Sequence, residues 1–157
     1  MRYALTAVLL AATMIVPAGG QPAPPTITEM DYNVFEFPAK HRAGWKALRR
    51  SLPSSLKSVP WIYDLKRKAT TGRVVKVMVR GRVHYGGMAC KPLDCADNVF
   101  AFLVAEDGSN VVALMRATRP VAASPYDYYA PPGTIPRIQV VGQPNAEELA
   151  VLNALAM

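Results

Sequence analysis

The residues best placed to do chemistry are Cys90 and Cys95, the two cysteines of this 157-residue chain, which bracket Lys91-Pro92-Leu93-Asp94. Three chemistries use such a pair: a disulfide, a thiolate metal site, or redox exchange. A redox pair of the thioredoxin kind wants two residues between the sulfurs, and here there are four. Zinc would need further ligands, so His41 and His84, the two histidines, would have to converge on the cysteines from a predicted helix and a predicted strand. A disulfide would make the four intervening residues a small stiff ring. Closing it removes about 2 kcal/mol of loop entropy from the unfolded chain, so its main effect is local rigidity.

The compartment decides among these, and the N-terminus speaks to it. Arg2 supplies a short positive region, Tyr3 to Val16 is an almost unbroken apolar run, and Val16-Pro17-Ala18 or Ala18-Gly19-Gly20 offers small residues at a cleavage site. The run is short for a membrane span, and Pro17, Gly19 and Gly20 end it. Residues 1–20 therefore read as a secretory signal peptide, the alternative being an uncleaved N-terminal anchor. No cysteine follows the run to carry a lipid. Export favours a disulfide over a thiol pair.

The remaining chain, about 137 residues, suits one domain with a real core. It carries 17 Lys and Arg, the full 18 less Arg2, against 11 Asp and Glu, a net charge of about +6. That balance favours anionic partners. For an exported chain these are envelope polymers rather than nucleic acid; a generally soluble basic surface is the plainer reading.

The elements that must position the ring follow from pattern. Residues 21–38, with Pro22, Pro24 and Pro25, read as an extended, mobile leader, and 39–157 as a single domain. Ala39 to Leu52 reads as a helix with Trp45, Leu48 and Leu52 on one face, Lys40, Arg42, Lys46, Arg49 and Arg50 mostly off it, and Pro53 as its stop. A turn or short helix through Leu56 follows, and Lys66 to Gly72 reads as a loop. Val74 to Val79 and Val83 to Met88 form a hairpin turning at Gly81, with a bulge or bend expected at Gly86 and Gly87. Asn98 to Ala105 and Val111 to Met115 are the next two strands, joined by Glu106-Asp107-Gly108-Ser109. Antiparallel pairing of neighbours puts the ring at a hairpin tip, where a locked loop loses little entropy on docking.

Ala122 to Gly142, with Pro125, Tyr126, Tyr128, Tyr129, Pro131, Pro132, Gly133 and Pro136, reads as a loop packed over the core, ending in a strand from Arg137 to Val141. Asn145 and Glu148 form a capping pair for a final helix to Leu155, with Leu149, Leu152 and Leu155 buried.

Set in that hairpin, the hexapeptide resembles the hallmark of the Ivy family, bacterial inhibitors of vertebrate-type (C-type) lysozyme. The family sequence is Cys-Lys-Pro-His-Asp-Cys, and five of its six positions match Cys90-Lys91-Pro92-Leu93-Asp94-Cys95. The exported chain of this length, Pro60-Trp61 and the paired strands add to the likeness, strongest from about Gly72 to Thr118.

The resemblance implies an α+β fold: a central antiparallel β-sheet with flanking helices and a protruding disulfide-closed hairpin loop. It implies a periplasmic protein, often a homodimer, needing no cofactor or metal. Cys90 and Cys95 would close the loop, Lys91 and Pro92 shape it and Asp94 support it, so that it plugs the lysozyme cleft. Leu93 stands where the family has the histidine that meets the catalytic carboxylates. Leucine has neither donor nor acceptor, and each carboxylate left unsatisfied would cost about 1 to 3 kcal/mol.

Three functions follow. The first is occlusion of a C-type lysozyme or related muramidase by the ring. The second keeps the scaffold and blocks an endogenous lytic transglycosylase, which works with a single catalytic acid. The third is non-inhibitory binding of an anionic envelope polymer through Lys40, Arg42, Lys46, Arg49 and Arg50. An enzyme is not expected: no Ser, His and acid arrangement or glycine-rich phosphate loop is recognisable, and Glu106-Asp107 is accounted for by its turn.

Overall fold

The computed structural model describes residues 25–117 and 138–157. The expected signal peptide, the start of the leader and the proline- and tyrosine-rich stretch from Pro125 to Pro136 lie outside them. The described chain is an α+β fold built on a seven-stranded antiparallel sheet.

The strands are β1 (Ile27–Asn33), β2 (Thr70–Thr71), β3 (Arg73–Val79), β4 (Arg82–Cys90), β5 (Asn98–Ala105), β6 (Val111–Ala117) and β7 (Ile138–Val141). They lie in the order β1-β3-β4-β5-β6-β7, with β2 also pairing with β4. From β3 onward the path is a meander, the arrangement short connections dictate. Arg80 and Gly81, at φ 48° and 74°, make the two-residue β3–β4 turn in the mirror-image form that matches strand twist.

The helices are α1 (Phe37–Lys40), α2 (Arg42–Ser51), α3 (Ser54–Lys57), α4 (Pro60–Tyr63), α5 (Leu65–Lys68) and α6 (Ala146–Leu155). The first five cover one face of the sheet. Leu48, Leu56, Trp61, Ile62 and Leu65 pack there on Phe100, Phe102 and Val104. On the other face Val151 and Leu152 of α6, with Ala156 just after it, pack on Val99, Ala101 and Leu103. Every residue of β5 is buried, because alternate side chains point into two covered layers. This is why β5 is apolar throughout instead of alternating.

A four-residue polar cluster ties α6 to the sheet. Asn145 accepts from the Glu147 and Glu148 N–H groups, and Glu148 accepts in return from the Asn145 N–H at 2.8 Å. Glu148, itself buried, also accepts from Asn110 at 2.6 Å and lies 3.5 Å from His84 Nε2. The capping pair is thus also a buried anchor.

Several expectations need correction. Over its described part the leader is structural: β1 pairs with β3 from Ile27↔Val77 to Asn33↔Arg73, and Tyr32, Val34 and Phe37 enter the core. The prolines end just upstream of it. The helix expected from Ala39 to Leu52 is broken at His41 (φ −125°, ψ 59°), which separates α1 from α2.

The polar stretch from Lys66 to Gly72 is not a loop. Asp64 caps α5 by accepting from the Arg67 N–H at 3.3 Å, and Thr70 and Thr71 pair with Cys90 and Ala89. Gly86 and Gly87 form no bulge, since β4 and β5 stay in register from His84↔Ala105 to Cys90↔Val99. A Cβ there would overlap the Phe102 carbonyl or Val34, so these glycines permit close approach. In α6, Leu149 is exposed and Leu155 half-buried; the inward face is Glu148, Val151 and Leu152, continued by Ala156 just beyond the helix.

No described helix is long and apolar enough to cross a membrane.

Candidate functional site

Cys90 ends β4 between two neighbours, Thr70 of β2 and Val99 of β5, so the ring starts from a strand paired on both sides. The ladder closes one residue further on, where the Lys91 N–H donates to the Asn98 carbonyl at 3.1 Å. Cys90 and Cys95 are joined, with Cα atoms 4.9 Å apart. Cys90 is buried and Cys95 packs against the α6-side core, which roots the ring in the domain.

Two turns fill the ring. The Asp94 N–H donates to the Lys91 carbonyl at 3.0 Å, closing a four-residue turn with Pro92 and Leu93 at its centre. Proline fixes its own φ near −65°. Leu93 has φ 64°, the left-handed value that a type II turn demands of its third residue and that glycine or asparagine usually supplies. The Asp94 carbonyl then accepts from the Asp97 and Asn98 N–H groups at 3.3 and 3.0 Å, returning the chain to β5.

The side chains sort by direction. Asp94 points inward, accepting from Asn98 Nδ2 at 2.8 Å and lying 3.5 Å from Lys91 Nζ. Lys91 is only 3% exposed. Pro92 is half-buried. Leu93 is 82% exposed, the large apolar side chain that the ring presents. The tip has no nucleophile and no titratable group, so its chemistry is contact: a rigid apolar point with its charges turned into the base.

The two histidines do not join the cysteines. His84 pairs with Ala105 at the far end of β4, six residues from Cys90 and so about 20 Å away along a strand. His41 sits in an aromatic cluster, its ring 4.7 Å from that of Phe37 and 4.3 Å from that of Tyr85, with the Tyr32 hydroxyl in hydrogen-bond contact with its Nε2. Burial lowers the His41 pKa from its ordinary value; Glu106 opposes this and Lys40 adds to it. Burial also raises Tyr32, with smaller contributions from Tyr85, Asp31 and Glu36. Burial raises Tyr85, helped by its hydroxyl bond to Glu106 at 3.2 Å. Among the described residues no cluster of three His, Cys, Asp or Glu is arranged to hold a metal ion.

The five cations expected along one helix fall into two groups. Lys40 and Arg42 border a recess of about 210 Å³ beside His41 and Tyr85, and Lys40 Nζ lies 4.6 Å from the Tyr32 ring centre. Lys46, Arg49 and Arg50 face a different groove, shared with Trp45, Lys57 and Tyr63. Tyr63 carries no sequence signal linking it to Arg49, because the contact depends on how α4 folds back on α2. The spacing of Trp45 and Arg49, four apart on a helix, was the available clue. Compared with protein-family models, with curated proteins and with solved structures, the chain matches none.

Proposed function

We propose that this chain is an exported, periplasmic inhibitor that inserts the Cys90 to Cys95 ring into the substrate cleft of a muramidase, with C-type lysozyme as the target implied by the hexapeptide. The observation that carries the reading is Leu93: a leucine in a left-handed conformation, 82% exposed, on a ring braced from inside. Holding a non-glycine residue there costs about 1 to 2 kcal/mol, and a strained residue kept at an exposed tip points to use. Burying such a side chain against a cleft wall contributes about 1.5 to 3 kcal/mol. Rigidity spares the entropy of ordering the loop on docking.

A second reading, with a lytic transglycosylase as target, is favoured by Lys91. A lysozyme-type site holds one protonated and one ionised carboxyl group, both of which want polar partners. Lys91 is turned into the ring base beside Asp94, leaving Leu93 to meet them. A site with a single catalytic acid loses less on meeting an apolar plug.

Titrating the oxidised protein against both enzymes in a wall-lysis assay tests the reading. Inhibition is expected for at least one and relieved by Cys90→Ser. Leu93→His should strengthen inhibition of lysozyme by about 5- to 150-fold, one restored polar contact. No inhibition of either enzyme by the native protein or by Leu93→His overturns the proposal.

A further inference from the structure

On the helical side of the domain, α2, α3 and α4 enclose a groove of about 420 Å³ in which Lys46, Arg49, Arg50 and Lys57 meet Trp45 and Tyr63. It continues into a second recess of about 340 Å³ that shares Trp45, Arg49 and Tyr63, so the two form one trough. Tyr63 is 39% exposed. Arg49 lies across its ring, the guanidinium carbon 3.8 Å from the ring centre, and 5.9 Å from that of Trp45.

That stacking matters chemically. A guanidinium held over an aromatic face by cation–π attraction still has N–H donors to offer a carboxylate or phosphate. Among the described residues, no carboxylate lies within ion-pair distance of Lys46, Arg49 or Arg50. Lys57 is held across the groove by donating to the Arg50 carbonyl at 3.4 Å. Asp64 borders only the second recess. The trough is therefore a cationic surface with aromatic walls, one of its guanidinium groups held over Tyr63.

We infer that this trough binds a segment of an acidic glycan, its carboxylate or phosphate groups meeting Arg49, Arg50 and Lys46 and a sugar face lying along Tyr63 and Trp45. Cations alone would fit any polyanion; the aromatic walls select one made of rings with apolar faces. The trough's length, spanning two recesses, suits a polymer segment. The site is separate from the ring and would hold the protein on an anionic envelope polymer near the enzymes that act there. Cys90→Ser leaves it intact, so its failure and that of the ring reading are distinguishable.

Binding of the full mature protein to three probes tests this: polygalacturonate, which has acidic sugars; polyglutamate of matched length, which has the charge without the rings; and vesicles of anionic phospholipid. Polygalacturonate should bind tightest and weaken with salt. Lys46→Gln/Arg50→Gln should weaken it about tenfold or more, whereas Lys40→Gln/Arg42→Gln, which removes two charges outside the trough at the end of α1 and the start of α2, should change it less than about twofold. Tyr63→Ala should weaken polygalacturonate by more than it weakens polyglutamate. Equal losses from the two double substitutions, equal affinity for the two polymers, binding to vesicles alone, or no binding would each overturn the inference.

Discussion

Lys91 Nζ lies 3.5 Å from Asp94 Oδ2, and the pair is folded into the base of the disulfide ring while Leu93, between them in sequence, faces out. The hexapeptide contains two charges and presents neither. The cation serves the ring's own carboxylate, and Asn98, itself buried at the start of β5, shares that carboxylate at 2.8 Å. What the ring exposes is one apolar side chain on a braced loop.

The inward pair makes Asp94 the ring's weakest point. Asp94→Ala strips the carboxylate from a buried lysine and from the Asn98 amide, and should destabilise the domain by about 2 to 4 kcal/mol. Lys91→Met/Asp94→Ala should recover part of that, since loss of the Asp94 carboxylate from beside a buried cation is one part of the cost. Denaturant unfolding of the oxidised protein measures both. If the double variant is no more stable than the single, the charge pair is not what Asp94 contributes.

Leu93 should separate stability from function. Leu93→Gly removes the left-handed penalty of about 1 to 2 kcal/mol and adds unfolded-state entropy of about 0.5 to 1 kcal/mol, so the melting temperature should rise by about 2 °C. The same change deletes the exposed side chain, and inhibition of a muramidase should weaken about tenfold or more. A variant that melts lower than wild type would show that the backbone at this position is not strained.

How much of this was legible in sequence depends on whether the determining contacts are local. The β3–β4 hairpin, β5, β6 and the capping of α6 are encoded in adjacent residues, in alternation, in Arg80-Gly81 and in the Asn145/Glu148 pair, and they appear where those signals stand. β1 was hidden because its partner, β3, lies forty to fifty residues on, and the prolines before it suggested a free leader. The close approach at Gly86 and Gly87 depends on Phe102 and Val34, which no local rule names. The ring's location was readable from two cysteines between strands. The direction of Lys91 was not, because burial of a lysine is decided by Asp94 and the fold around it.

His41 gives the fold a pH dependence whose sign can be worked out. Its ring is half-buried among Phe37, Tyr32 and Tyr85, with Nε2 in hydrogen-bond contact with the Tyr32 hydroxyl. Lys40 opposes protonation and Glu106 favours it, burial dominating, so the folded pKa lies below the ordinary value. The unfolded chain takes up a proton near pH 6.5, and the folded chain resists until lower. Between those two points the unfolded state binds more protons, so stability falls as pH falls, and below both it falls no further on this account. Unfolding free energies measured from about pH 7 to about pH 5 should therefore decline, and His41→Phe, which keeps the aromatic packing, should reduce that decline. Parallel pH profiles for the two proteins would mean that His41 is not the group responsible for the decline.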